Sequence, residues 1–350
     1  MILNKTTKTF AKPLPSIHWR QEKIILKHSQ IKKIIDNLQN AFFFDSGVNK
    51  LNGRYDILSA EPIDIHRVTK DELKEAPPVV IDPQHIINLT ASKQIIPQQY
   101  QNLPFVCGWL GFSSYEWGAN ILIKSSQQLL SSSLPSIYIG KYCWSYVYDH
   151  QLGQGYLTFS SQCDIKLEQT ILALINAAKT ETALALALEQ EQEQEQEQEQ
   201  EQVNEPPPPL LFKKSITFKE YAHKFNLAKH YIKEGDCYQV NLAQRFEAPV
   251  KESPLDLYFR LRKTTNTPYS GYFSLGPQQN LLCFSPEKFI GIHNRQVDTK
   301  PIKGTIENNH DTQNQEELEN SAKNHAENLM IVDLLRNDLS KICKLNSVQV

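Results

Sequence analysis

One lysine in this sequence stands where its amine could do chemistry. Lys303 lies between an isoleucine and a glycine, in a segment that follows two apolar, strand-like runs. Lysines usually sit where water reaches the ammonium group, whereas this one could face a cleft. A strand–turn–strand hairpin would bring Glu287 near it. A carboxylic acid beside an amine in a partly dry cleft can work as a general acid and a nucleophile. A surface salt bridge across the hairpin is the alternative that residue types leave open.

Three further residues extend this candidate site. Gly304 would let a ligand approach the backbone closely, and Thr305 could donate a hydrogen bond to a carboxylate. A long apolar helix is predicted from about Gln313 to Ile342, and its apolar content predicts that it is buried. Glu327 in that helix could face a Mg²⁺ ion, which prefers carboxylate oxygens, or pair with a cationic side chain. The residue pattern alone leaves both readings open.

The elements that must position these residues are short strands and amphipathic helices. Thr217-Phe-Lys-Glu220 is a capping box that predicts a helix start, and Gly235 predicts its end. Alternation from Tyr238 to Leu242 predicts a strand. Further strands are predicted near Tyr269–Leu275, Asn280–Phe284, Phe289–Ile292 and Gln296–Ile302. The pattern predicts an α+β fold of layered β-sheets flanked by helices.

A low-complexity segment divides the chain. Glutamate and glutamine alternate from Glu189 to Gln202, and four prolines, Pro206 to Pro209, follow. The Glu-Gln run has no apolar face to bury. We therefore predict an N-terminal region at 1–182, a linker at 183–212 and a C-terminal region at 213–350.

The composition excludes several classes of protein. The 350 residues carry a formal charge of −2, which gives no sign of a nucleic-acid binder or of a membrane-surface protein. No apolar run approaches the roughly 20 residues of a spanning helix. The six cysteines show no paired spacing, which favours reduced core thiols in a cytoplasmic protein.

Four segments, in order, strongly resemble motifs of the chorismate-utilising enzymes, and among these the aminodeoxychorismate synthase component I family. They are Gly235–Phe246, Ser285–Phe289, Pro301–Thr305 and Ala326–Asp338. The N-terminal half resembles the same family at Ser46-Gly47, Arg54-Tyr-Asp56, Ala60-Glu-Pro62, and Gly108-Trp-Leu-Gly111 with Tyr115. The resemblance covers nearly the whole chain except the Glu-Gln linker.

The resemblance implies a role for each candidate residue. Lys303 would be the nucleophile that attacks ring carbon 2 of chorismate, and Glu287 would protonate the departing hydroxyl at carbon 4. Gly304 and Thr305 would contact chorismate, and Glu327 would be one ligand of a Mg²⁺ ion. Ammonia would replace the lysine to give 4-amino-4-deoxychorismate, a folate precursor. Anthranilate synthase component I, the nearest alternative, usually has alanine at the position of Lys303.

The resemblance also implies partners. Ammonia would come from a separate glutamine amidotransferase subunit, because the chain has no glutaminase signature. A bound L-tryptophan would contact residues from three segments: Ser46, Asn52, Gly53, Arg54, Tyr55, Pro268, Tyr269 and Ser270. Family members continue past residue 350 with further substrate- and metal-binding motifs, so we expect a truncated, inactive chain. A non-catalytic binding module is the second alternative.

Overall fold

The computed structural model describes residues 20–47, 53–69, 96–115, 117–118, 134–195, 211–276, 278–304 and 320–350. Within these ranges the chain has fourteen strands and five α-helices. The strands, in chain order, are Arg20–Lys23 (β1), Phe42–Asp45 (β2), Tyr55–Ser59 (β3), Asp64–Val68 (β4), Gly108–Ser113 (β5), Ile137–Tyr142 (β6), Trp144–Asp149 (β7), Gln154–Phe159 (β8), Lys213–Lys214 (β9), Phe246–Glu247 (β10), Tyr269–Ser274 (β11), Asn280–Ser285 (β12), Lys288–His293 (β13) and Gln296–Lys300 (β14). The helices are His28–Asp36 (α1), Ile165–Glu195 (α2), Phe218–Glu234 (α3), Pro254–Arg262 (α4) and Ala322–Ser340 (α5).

The chain divides into two compact units. The smaller one is Ala185–Phe259, and the larger one joins Met1–Leu184 to Arg260–Val350. In the smaller unit β9 pairs with β10, and α3 begins at the capping box predicted from the sequence. The Thr217 hydroxyl accepts a hydrogen bond from the Glu220 amide at 3.3 Å, and the Glu220 carboxylate accepts one from the Thr217 amide at 2.7 Å. The division into 1–182, 183–212 and 213–350 stays a prediction.

A seven-stranded antiparallel sheet organises the larger unit. Its strand order is β1-β8-β7-β3-β2-β11-β12. β7 and β8 form a hairpin, with Trp144 opposite Phe159. In β2, Phe42 and Phe43 are fully buried. Because Phe42 and Phe43 are adjacent in the strand, β2 is apolar on both of its faces here.

A second sheet, with the order β4-β6-β5, packs against the first through aromatic side chains. The rings of Phe42 and Tyr142 lie 4.9 Å apart at 85°, and those of Tyr138 and Phe273 lie 5.2 Å apart at 89°. Edge-to-face pairs of this kind add specificity to apolar burial. The chain passes between the sheets at Cys143, which separates β6 from β7. This arrangement confirms the predicted layered sheets.

Two helices of the larger unit carry buried stripes at helical spacing. In α1 the stripe includes Ile31, Ile34 and Ile35, and in α2 it includes Ile171 and Ile175. A salt bridge of 2.8 Å between Lys33 and Glu181 joins the two helices. None of the helices in the described ranges is long and apolar enough to cross a membrane.

Two local predictions were wrong. Residues 238–242 form no strand, and the short strand β10 begins only at Phe246. Helix α5 has no buried residue, although its apolar content predicted burial, and Leu329 is 71% exposed. The apolar side chains of α5 surround the helix and form no single stripe, so contact on one side cannot bury them. Residues 305–319, where the helix was predicted to begin, lie outside the described ranges.

Candidate active site

A tight turn fixes the carboxylate of Glu287 after β12. The hydroxyl of Ser285 accepts a hydrogen bond from the Glu287 amide at 3.2 Å and donates one to the Glu287 carbonyl at 3.0 Å. Serine hydroxyls often close turns in this way. Both side chains are half-buried. The turn therefore fixes the backbone of Glu287, and the side chain stays partly exposed to solvent.

The hairpin of β13 and β14 brings Glu287 to the segment that carries Lys303. Asn294 and Arg295 form its two-residue turn, with φ of 48° and 65°. Positive φ values are favoured in such turns because they match the twist of the two antiparallel strands. Lys288 then pairs with Lys300 at the open end of the hairpin. Just beyond that pair, the Glu287 carboxylate accepts a hydrogen bond of 3.0 Å from the backbone amide of Ile302. The carboxylate is thus anchored to the residue that precedes Lys303.

The salt bridge across this hairpin involves other residues. It joins Lys288 to Asp298. Among the described residues, Lys303 forms no ion pair with Glu287. The surface salt bridge between these two residues, which the sequence left open, is therefore absent from this part of the structure. Lys303 and Gly304 are both half-buried. Gly304 has a φ of 76°, a conformation that glycine adopts without strain.

Thr305 and Glu327 are the remaining residues predicted to bind substrate and metal. Thr305 lies outside the described residues. Glu327 lies on α5 and is half-exposed. In the described ranges no three His, Cys, Asp or Glu residues come together as a metal site. Mg²⁺ commonly takes one or two protein carboxylates and fills its other positions with water and substrate oxygens. Glu327 would supply one such carboxylate.

The other acidic residues of α5 bind neighbouring cations. Asp333 pairs with Arg336, and Asp338 pairs with Lys341 at 2.9 Å. A groove along the C-terminal half of α5 is lined in part by Asp333, Arg336 and Lys344. It contains neither Lys303 nor Glu327, so we do not assign the candidate chemistry to it.

The residues predicted to contact tryptophan gather at one end of three neighbouring strands. Ser46 follows β2, Tyr55 begins β3, and Ser270 lies in β11, and β2 is the middle strand of the three. A Cβ atom on Gly53 would lie only 2.3 Å from the Ser46 Cβ, which explains the absence of a side chain there. Asn52 lies outside the described residues.

The remaining residues of this group have partners of their own. Arg54 donates to the Asp149 carboxylate at 2.8 Å and lies over the Tyr55 ring at 4.8 Å from its centroid. The Ser270 hydroxyl lies 2.7 Å from that of Thr267. Pro268 is half-buried and Tyr269 is exposed. Arg54 therefore links the start of β3 to the end of β7.

Sequence reasoning missed a buried ion pair at the same end of the sheet. The guanidinium of Arg262 lies 2.5 Å from the Asp45 carboxylate, and it also donates to the carbonyls of Thr265 and Thr267. The Asp45 carboxylate also accepts from the Gly47 amide at 3.0 Å. These contacts hold the loop that leads into Pro268. The sequence signal was weak: a charged residue directly after three phenylalanines.

Sequence reasoning also missed a buried carboxylate between two histidines. Asp56 lies 2.9 Å from the His150 imidazole and 3.7 Å from that of His28, and it accepts from the Ser46 amide at 3.2 Å. Burial would raise the pKa of Asp56, but its hydrogen-bonding partners, His150 foremost, outweigh burial and lower that pKa. The same carboxylate raises the pKa of both histidines. These shifts favour an ionised Asp56 carboxylate and protonated imidazoles of His28 and His150 close to Ser46.

Comparison with known proteins identifies the family. Residues 40–350 match the family model described as chorismate binding enzyme. The chain belongs to this family. The match spans both halves of the chain, from β2 to the residues after α5, and confirms the resemblance seen in the sequence motifs.

Two curated chorismate binding relatives carry the same name. The chain is 29% identical to aminodeoxychorismate synthase component 1 of Escherichia coli (strain K12) over 356 residues, which are 98% of this chain and 72% of that protein. It is 31% identical to the protein of that name from Klebsiella aerogenes over 310 residues, 85% of this chain and 63% of the relative. The chain thus spans only about two thirds of the length of such relatives.

A solved structure supports the fold. Anthranilate synthase component I from Streptococcus pneumoniae TIGR4 superposes with a TM-score of 0.60 and 24% identity, covering 84% of this chain and 63% of that one. At this identity the likeness establishes the fold alone. The α+β chorismate binding fold expected from the sequence is confirmed.

Proposed function

We propose that this chain, which spans about two thirds of the length of its relatives, is part of the chorismate-converting component of an aminodeoxychorismate synthase, an enzyme that acts on chorismate and ammonia to give 4-amino-4-deoxychorismate. The observation that carries the proposal is the 3.0 Å hydrogen bond from the Ile302 amide to the Glu287 carboxylate, which sets an acid beside the Lys303 segment. The names of the two curated relatives support it. So does the lysine at position 303, where anthranilate synthases usually have alanine.

In this mechanism Lys303 is the nucleophile. Its neutral amine bonds to ring carbon 2 of chorismate, both ring double bonds shift by one position, and the bond between carbon 4 and its hydroxyl oxygen breaks. Hydroxide is a poor leaving group, so Glu287 donates a proton and the oxygen departs as water. Ammonia then bonds to carbon 4, both double bonds shift back, and the bond from carbon 2 to the Lys303 nitrogen breaks, which releases the lysine amine. The new ammonium group at carbon 4 gives one proton to the Glu287 carboxylate, and this restores the acid.

The proposal includes a metal, a partner and a second ligand. Glu327 would be one ligand of a Mg²⁺ ion, which would hold a substrate carboxylate, while Gly304 and Thr305 would contact the ring substituents. A separate glutamine amidotransferase subunit would supply ammonia, in the cytoplasm. L-Tryptophan would bind near Ser46 and the loop that Arg262 holds, where buried polar groups of β2, β3 and β11 converge.

A comparison of two lysine variants tests the proposal. The full gene product is incubated with chorismate, Mg²⁺ and an ammonium salt, and products are identified by chromatography and mass. We expect 4-amino-4-deoxychorismate from the wild type and a rate at least about 100-fold lower for Lys303→Ala. Lys300→Ala is the matched control, because Lys300 is an exposed lysine on the adjoining strand. Its rate should stay within about twofold.

Three other outcomes would contradict the proposal. Anthranilate as the product would favour anthranilate synthase component I. Chorismate binding without turnover in the wild type would favour a non-catalytic binding module. Equal rates for the two lysine variants would remove Lys303 from the reaction.

A further inference from the structure

The strand β13 contains one extra residue close to Glu287. Lys288 lies opposite Lys300, and Gly291 lies opposite Asp298, so β13 advances three residues between these pairs while β14 advances two. Such a β-bulge bends its strand and changes the direction of the residues beside it. Because Glu287 directly precedes the bulged segment, the shape of the bulge sets where the Glu287 backbone lies relative to β14.

Two side-chain contacts join β14 to the bulged part of β13. The hydroxyl of Thr299 donates to the carbonyl of Phe289, which lies within the bulge. The ammonium group of Lys288 pairs with the carboxylate of Asp298 across the hairpin. Gly291 leaves room for this ion pair, because a Cβ atom there would lie 2.5 Å from Lys288 Nζ and 2.7 Å from Asp298 Oδ1.

The ion pair offsets a repulsion at the open end of the hairpin. Lys288 and Lys300 lie opposite each other, and like charges in that position are destabilising. Asp298 is two residues from Lys300 and therefore lies on the same face of β14, where it gives Lys288 an opposite charge. Glu287 and Ile302 lie just beyond the two lysines. Their 3.0 Å hydrogen bond therefore depends on the strand ends staying together.

We propose that Lys288 and Asp298 are positioning residues for Glu287. Their ion pair holds the bulge, and the bulge keeps the Glu287 carboxylate on the Ile302 amide. The consequence for catalysis rests on the proposed function, in which Glu287 is the acid, whereas the geometry does not. The two side chains of the pair are 26% and 54% exposed, so the pair adds little to global stability. Its loss should change the geometry at Glu287 while the melting temperature moves by less than about 2 °C.

The backbone amide of Ile302 reports on this geometry without any reaction. Proline labelled with ¹³C at the carbonyl and isoleucine labelled with ¹⁵N together select two amides for NMR, because Pro-Ile occurs in the sequence at 62–63 and 301–302. Ile63 is the internal control, since its amide donates to the backbone carbonyl of Lys141 at 2.7 Å. Glu287→Gln identifies the Ile302 signal and shows its position without the charged acceptor.

Variants of the ion pair should change the Ile302 signal selectively. In Lys288→Met and in Gly291→Ala, we expect the Ile302 amide proton to shift towards its position in Glu287→Gln. Its exchange with water should become at least about fivefold faster, since the hydrogen bond to a charged acceptor weakens. Lys288→Arg keeps the cation, and Lys300→Met removes the exposed lysine opposite, so both should leave the Ile302 amide as in the wild type. The Ile63 amide should stay unchanged in every variant.

Kinetics of the full gene product separate positioning from substrate binding. With chorismate, Mg²⁺ and an ammonium salt, Lys288→Met should lower kcat by about 10-fold and leave KM within about twofold, because a misplaced acid slows the chemical step. Lys288→Arg should keep most of the wild-type kcat. A raised KM with an unchanged kcat in Lys288→Met would contradict a positioning role.

The two measurements distinguish failure of this inference from failure of the proposed function. A wild-type Ile302 signal in Lys288→Met and Gly291→Ala would overturn the inference and leave the proposed function standing. A shifted signal with a wild-type kcat in Lys288→Met would overturn the catalytic consequence of the pair. A wild-type rate in Glu287→Gln would overturn the proposed acid, and with it the inference that an acid is positioned here.

Discussion

Replacing Arg262 by methionine removes the cation that lies 2.5 Å from the Asp45 carboxylate while it keeps much of the side chain's apolar length. The two side chains are only 8% and 3% exposed, so water screens the charge that remains very little. Removing one partner of a buried ion pair typically costs about 3–5 kcal/mol of unfolding free energy. Two carbonyls, those of Thr265 and Thr267, also lose their donor. We therefore expect a loss of at least about 3 kcal/mol.

The assay is urea unfolding followed by tryptophan fluorescence. The four tryptophans all precede residue 184, so the signal reports on the larger unit. Lys263→Met, at an exposed neighbour of Arg262, should change the unfolding free energy by less than about 0.5 kcal/mol. Asp45→Asn supplies the second arm of a double-mutant cycle, with an expected coupling of at least about 2 kcal/mol. A loss below about 1 kcal/mol in Arg262→Met, or additive effects, would refute the reasoning.

Three further predictions follow from individual contacts. Gly53→Ala would place a Cβ 2.3 Å from that of Ser46, so urea unfolding should show a loss of roughly 1–3 kcal/mol, and an unchanged midpoint would contradict the packing. Asp56 raises the pKa of His150, so the charged pair stabilises the fold fully below pH about 6.5, the ordinary pKa of histidine. This stabilisation is lost as the pH rises through the raised pKa of His150. His150→Gln should thus cost more stability at pH 6 than at pH 8.5, and equal costs would count against it. Glu287→Gln should slow adduct formation by about 100-fold in single-turnover mass measurements, and a wild-type rate would exclude proton donation.

Local structure was largely predictable from the sequence. The capping box at Thr217 and the glycine at position 235 predicted the start and the end of α3, and the structure has both. The hairpin that sets Glu287 beside Ile302 also followed from strand patterns and turn position. These signals are short-range, because capping and turn formation depend on residues only a few positions apart.

Contacts between distant residues were not predictable in the same way. Asp45 and Arg262 are separated by 217 positions, and nothing in either segment indicates the other. Asp56 and His150 are also far apart in the sequence, yet the Asp56 carboxylate lies 2.9 Å from the His150 imidazole. The prediction that helix α5 is buried was wrong for a different reason, because it took apolar content as evidence of burial. Burial requires a partner surface, which a single segment's composition does not specify.

The most direct test of the account is the covalent step at Lys303. The full gene product is mixed with chorismate and Mg²⁺ without ammonia, quenched rapidly, digested and analysed by mass spectrometry. Chorismate less one water should be found on the peptide that contains Lys303 in the wild type and in Lys300→Ala, and should be absent from Lys303→Ala. An adduct that persists in Lys303→Ala, or a wild type that makes 4-amino-4-deoxychorismate from ammonia without ever carrying the adduct, would contradict the account.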